Sequence, residues 1–261
     1  MIKGRWSDLG ERIGVGAVVA AVGLVCVWLG GFVFSALTVI AAGVMVWELV
    51  RMLDPEAPAV ALAGAAAASL AVAEILPAAY ALPILIAPVF VGIGQLRHRR
   101  VTYSLFTVLI VLAGLGLNIL RSEHGFVWML WLASVVIVTD VFGYIFGRLM
   151  GGPKLWPRVS PNKTWSGTLA GWGGAALVGL GFSVATTAGP ELIPVSIALS
   201  MAGQMGDIAE SVVKRRAGVK DSSSLLPGHG GLFDRFDGML GASVFLLLAT
   251  PIIGFPPGTI G

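Results

Sequence analysis

Long apolar runs recur from Ile13 almost to the end of the chain, and no other feature limits the possible folds as strongly. Roughly 20 helical residues cross the ~30 Å hydrocarbon core of a bilayer, and a helix satisfies its own backbone hydrogen bonds where no water is available. The 261 residues are 56% hydrophobic and 12% charged, whereas soluble domains carry about 25% charged residues. The fold class expected is therefore all-α: a polytopic integral membrane protein with about nine transmembrane helices. The expected spans are 13–29, 32–50, 59–75, 78–94, 104–120, 126–147, 166–185, 192–211 and 235–253. Gly30-Gly31, the Asp54-Pro55-Glu56 turn, Pro77, the basic cluster at 97–100 and Gly189-Pro190 punctuate them.

Charge tests this count independently of hydropathy. With a cytoplasmic N-terminus, 16 of the 17 lysines and arginines fall on the inner side, Arg121 being the exception. That asymmetry is what the positive-inside tendency predicts, and it gives an N-in, C-out chain with an uncharged C-terminus. Lys3, Arg5 and Arg12 ahead of an apolar stretch resemble a secretion signal, but no small-residue cleavage site follows, so the segment reads as an uncleaved first helix. The pI near 9.3 fits loops facing anionic lipid rather than nucleic acid. Cys26 is the only cysteine, which excludes an internal disulfide and a cysteine metal cluster. The chain reads as one membrane domain, 1–261, with N-terminal spans over 1–125 and a catalytic region over 126–261 that carries two long cytoplasmic loops, 148–165 and 212–234.

Those loops and the helix ends beside them hold the chemistry. Asp207, Glu210, Ser211 and Lys214 are spaced by three, four and seven residues from the first, so they share one face of a helix. A carboxylate inside a bilayer is costly enough to face a partner, an ion or a wet cavity. Glu210 and Lys214 also fit a simple i,i+4 surface pair. Lys214-Arg215-Arg216, Lys220-Asp221, Pro227-Gly228-His229-Gly230-Gly231 and Asp234-Arg235-Phe236-Asp237 follow in order. Glycines let backbone N–H groups approach an anion, and basic side chains neutralise phosphate. Asp234 and Asp237 either cap a helix or, beside those cations, help hold polyphosphate through a hard divalent ion. His229 reads as a turn or hydrogen-bonding residue; with no HExxH and no GxxxxGK[ST], zinc and P-loop chemistry are not expected. In a second group, Asp140, Tyr144, Gly147 and Arg148 share a helix face, where Asp140 and Arg148 could also pair within the helix, and Ser160-Pro161-Asn162-Lys163-Thr164-Trp165 precedes the seventh span. Trp156 and Trp165 suit anchors at the membrane interface.

Ser211-Val-Val-Lys214-Arg215, Lys220-Asp221, Leu226-Pro227-Gly228-His229-Gly230-Gly231 and Asp234-Arg235-Phe236-Asp237, with Gly206-Asp207 upstream, resemble the signature of the phosphatidate cytidylyltransferase (CDP-diacylglycerol synthase) family. The similarity covers about 140–240; the N-terminal half contributes generic spans. Ser166, where the family often has an acid, and Gly143, where alanine is common, depart from the pattern outside the main signature. The resemblance implies transfer of a cytidylyl group from CTP to phosphatidate, giving CDP-diacylglycerol and pyrophosphate with magnesium, and leaves room for a second cation. It implies Asp207, Asp234 and Asp237 as metal ligands, with Lys214 also catalytic. Ser160, Asn162, Lys163, Asp140, Ser211, Arg215, Lys220, Asp221, Arg235 and the loop Gly228, His229, Gly230 and Gly231 are then the residues expected to bind substrate. The partners implied are CTP, phosphatidate and the lipid bilayer, with no nucleic acid, and a homodimer is compatible with the resemblance. The location implied is a bacterial-type inner membrane, with the active site facing the cytoplasm. Two rivals stand: a CTP-dependent enzyme acting on an isoprenoid lipid phosphate or polyprenol, and a transporter using Asp140 and Asp207 to relay cations. Transport needs access from both faces, whereas the charged groups gather at one.

Overall fold

Apolar sequence becomes helix nearly throughout the computed structural model, which describes residues 3–226 and 228–254. Pro227 and the expected C-terminal tail lie outside the described residues, as do the side chains of Lys3, Arg5 and Arg12. Nine α-helices are described: α1 Lys3–Leu29, α2 Gly31–Leu53, α3 Ala59–Ala73, α4 Ala78–Gln95, α5 Arg100–Ile119, α6 Phe126–Met150, α7 Trp165–Ala185, α8 Leu192–Ala217 and α9 Phe233–Ile253. A π-turn, Leu120–His124, extends α5, and a short antiparallel hairpin of β1, Lys154–Trp156, and β2, Ser160–Thr164, fills the expected 148–165 loop. Six helices, α2 and α5 to α9, are long and apolar enough to cross a membrane, while α3, α4 and the apolar part of α1 are shorter. The chain is an all-α, multi-span membrane protein.

Two compact units emerge, each built from separate stretches of chain. The first contains residues 1–118 and 214–236. Gly30 and Gly31, both at positive φ (65° and 48°), join α1 to α2, where side-chained residues would be strained. Val46, Leu49, Leu62, Leu70 and Ile110 form a core with no solvent exposure. Tyr103 of α5 is buried against α4, where Gly92 leaves room for its ring, and its hydroxyl donates to the Pro88 carbonyl at 2.9 Å. The Asp54 carboxylate accepts the Arg97 backbone N–H at 2.8 Å and so ties the α2–α3 turn to the α4–α5 turn. Asn118 donates to Thr38 Oγ1 at 2.7 Å and to Glu74, supplying polar partners inside an apolar bundle.

The second unit contains residues 119–213 and 237–261. Its helices touch backbone to backbone. On α6 and α7, Gly143, Gly147, Gly167 and Gly171 form small-residue seams, and a Cβ on Gly167 would come within 2.5 Å of the Gly143 carbonyl. On α8 and α9 the same role falls to Gly203, Gly206, Gly238 and Gly241, where a Cβ on Gly206 would overlap the Asp237 carbonyl. Apolar burial drives little association between helices already in lipid, so close packing and buried hydrogen bonds must. Trp131 Nε1 donates to Ser196 Oγ at 2.9 Å, Thr139 Oγ1 to Ser200 Oγ at 2.8 Å and Trp172 Nε1 to Gln204 Oε1 at 2.9 Å.

Candidate active site

The candidate residues divide between the units. In the second, a cavity of about 300 Å³ is lined by Asp140 and Tyr144 of α6, Asn162 and Lys163 of β2, and Gln204 and Asp207 of α8. The hairpin brings Asn162 and Lys163 here, and Thr164 fixes its junction with α7 by accepting the Gly167 N–H at 3.2 Å as an N-cap. Lys163 Nζ forms an ion pair with Asp207 Oδ2, both side chains being partly exposed. Ser211 Oγ donates to Asp207 Oδ1 at 3.4 Å, so these two residues do meet one turn apart. Asp237, in the first turns of α9, feels the charge of Asp207, Asp140 and Lys163, and its Oδ1 accepts its own Gly238 N–H at 2.8 Å. Three carboxylates thus share one electrostatic neighbourhood with one ammonium group. Ser160 sits at the hairpin tip opposite Trp156, and Arg148 donates to the Tyr144 hydroxyl at 3.0 Å.

In the first unit, the loop after α8 is folded around Asp234. Lys214 Nζ meets Asp234 Oδ1 at 2.7 Å, with 3% of the Asp234 side chain exposed. Asp234 Oδ2 accepts from Ser222 N at 2.8 Å, Ser222 Oγ at 2.9 Å and Gly231 N at 2.7 Å. Leu226 N donates to the Gly230 carbonyl and His229 N to the Leu226 carbonyl, closing a tight turn in which Gly228 and Gly230 hold positive φ of 71° and 83°. A side chain at Gly230 would also approach Asp234 Oδ2 to 2.6 Å. Arg235 Nε donates to the His229 carbonyl at 3.0 Å, while Lys220 and Asp221 are exposed and Arg215 reaches the Val219 carbonyl at 3.4 Å. The stretch expected to wrap phosphate is therefore an ordered turn with exposed cations beside it.

Among the described residues no three His, Cys, Asp or Glu side chains converge as a ready-made metal cage. Magnesium does not require one: it binds through one or two carboxylates and completes its octahedron with water and substrate phosphate. Asp207 and Asp237 are hard oxygen donors of that kind. Asp234, expected alongside them, belongs to the first unit, where it accepts from Lys214, Ser222 and Gly231.

Two residues escaped the sequence reading. Gln204 lines the cavity one helical turn before Asp207. Glu48 of α2 is fully buried and meets the loop after α8. The signal for Glu48 was present, since an acid inside an apolar span is itself a pointer to a site.

A family model described as the cytidylyltransferase family matches residues 10–252. Among curated relatives, a phosphatidate cytidylyltransferase of Brucella abortus is 45% identical over 148 residues, covering 55% of each chain. Proteins of the same name from Staphylococcus saprophyticus and Staphylococcus aureus are 48% identical over 126 residues and 43% over 123, each covering 46% of this chain and 47% of the relative. The chain spans about half the length of the curated relatives it matches.

Proposed function

The chain belongs to the cytidylyltransferase family, and from that premise we propose that it transfers the cytidylyl group of CTP to phosphatidate, forming CDP-diacylglycerol and releasing pyrophosphate. The observation that carries this reading is a polar cavity in a helical membrane unit, walled by the Lys163–Asp207 pair and Asn162, in a chain that also carries a basic glycine loop. Proton- or cation-coupled transport would not call for a glycine turn flanked by Lys214, Arg215 and Lys220.

A phosphate oxygen of the lipid attacks the α-phosphorus of CTP, and the bond from that phosphorus to the bridging oxygen breaks as pyrophosphate leaves. Both reactants are anions, so the protein's task is to hold them together and to stabilise charge on the departing group. The lipid phosphate is already ionised and needs no dedicated base. Lys163, at the cavity wall, is the cation for the phosphate entering there. Arg215 and Lys220, exposed in the same unit as the glycine turn, neutralise the nucleotide phosphates, whose oxygens meet the backbone N–H groups of Gly228–Gly231. Asp234 fixes that turn through Ser222 and Gly231, and orients Lys214. Magnesium, held by Asp207 and Asp237, would supply positive charge to the phosphate entering the cavity of their unit. Asp140, in the same field, adds the negative charge that favours a cation there.

The clustering of basic residues on alternate loops supports a cytoplasmic N-terminus, an inner-membrane location and a site open to the cytoplasm. Purified chain supplied with labelled CTP and magnesium should release pyrophosphate with phosphatidate as acceptor. Turnover with polyprenol or an isoprenoid phosphate instead, or cation flux in proteoliposomes without CTP consumption, overturns the reading.

A further inference from the structure

Glu48 lies on α2, in the half of the chain whose sequence reads as generic spans, yet it is 0% exposed and grips the loop after α8. Its Oε1 accepts from Ser223 Oγ at 2.6 Å and from the Leu232 backbone N–H at 2.9 Å. Its Oε2 accepts from the Phe233 backbone N–H at 2.7 Å and, at 3.3 Å, from Ser222 Oγ, whose single proton is shared with Asp234. These donors sit at the two ends of the loop: Ser222 and Ser223 at its entry, Leu232 and Phe233 where α9 begins. Gly231 lies against the same carboxylate, and a Cβ there would overlap both Glu48 and Ser222.

A carboxylate in an apolar helix is costly unless donors meet it. The unpaired N–H groups at the start of α9 are suited to this, because they need acceptors and carry the positive end of the helix dipole. One side chain therefore fixes the span of the turn containing Gly228–Gly231 by holding both its ends.

We propose that Glu48 is a positioning residue for nucleotide binding: it holds the 222–233 loop in the shape that presents its backbone N–H groups to the phosphates of CTP. It touches no substrate itself, and the proposal rests on the reading that this loop binds the nucleotide. The geometry makes it specific for a carboxylate. Glutamine is nearly the same shape, but whichever way its amide is turned, its NH2 group faces the backbone N–H of Leu232 or Phe233, donor against donor.

The test uses the full chain in detergent as wild type, Glu48→Gln and Ser223→Ala. Hydrogen exchange is followed at 222–233 without substrate, and KM for CTP, KM for phosphatidate and kcat come from pyrophosphate release. Glu48→Gln should speed exchange across the loop and raise KM for CTP roughly tenfold or more, with KM for phosphatidate unchanged. Ser223→Ala should move both readings the same way by less. Unaltered exchange overturns the proposal, and so does a fall in kcat alone at the wild-type KM for CTP, the signature of fewer folded molecules. If the wild type releases no pyrophosphate from CTP, the functional reading fails, while exchange at the loop still decides whether Glu48 holds it.

Discussion

Replacing Asp234 with asparagine should uncouple the loop after α8 from the helix end that supports it. The carboxylate is 3% exposed and its Lys214 partner 13%, so water can do little to replace a lost contact. Asparagine can keep its oxygen toward Ser222 N, Ser222 Oγ and Gly231 N only by turning its NH2 group toward the Lys214 ammonium at the 2.7 Å site. The nearly buried ammonium then faces an amide donor where it had a carboxylate at 2.7 Å. Breaking one side of such a pair costs about 3–5 kcal/mol, whereas removing both partners costs much less. On the scale of soluble domains of this size, 3 kcal/mol lowers the melting temperature by roughly 6–12 °C. The assay is thermal unfolding in detergent for Asp234→Asn, Lys214→Met and the double variant, alongside pyrophosphate release. The double variant should recover about 1–3 kcal/mol relative to the sum of the singles, with turnover still lost in all three. Strict additivity, or a single variant that melts and turns over like wild type, would refute the coupling.

Asp207→Asn keeps the size of the side chain but removes the charge that Lys163 and a cation share, so turnover should fall by roughly two orders of magnitude or more while the protein still inserts and purifies; pyrophosphate release measures this. Gly206→Ala should cost about 1–3 kcal/mol by overpacking, because its Cβ would strike the Asp237 carbonyl, and a lower melting temperature with a raised magnesium requirement would report it. Removing divalent ions with a chelator should abolish pyrophosphate release, and added magnesium should restore it; activity that persists in chelator would remove Asp207 and Asp237 from a metal-binding role.

Much of the helical plan was legible because hydropathy marks the parts of helices that lie in lipid. Helices α8 and α9 run beyond the apolar runs, to Ala217 and back to Phe233. Hydropathy cannot see those ends, but basic residues in a last turn and acids in a first turn suit the helix dipole. The β1–β2 hairpin was read as loop, since three- and five-residue strands holding proline, asparagine and lysine carry no strand pattern. Asp207, Lys214 and the glycine turn stood out by chemistry alone, and Gly206 only through the family resemblance. The pairing of Lys163 with Asp207 could not be read, because contacts between residues far apart in the chain leave no local mark. Glu48 did carry a local mark, an acid inside an apolar span, but what it holds could not be read, because its donors arrive 174 to 185 positions later.

That separation also bears on how the protein is made. At about 5–20 residues per second, roughly ten to thirty-five seconds of translation separate Glu48 from Ser222. During that interval α2 must be threaded into the membrane carrying an acid whose eventual donors do not yet exist. The insertion machinery, or water at the membrane edge, has to shelter it, and the N-terminal helices cannot reach their finished arrangement before the last helix has begun to emerge.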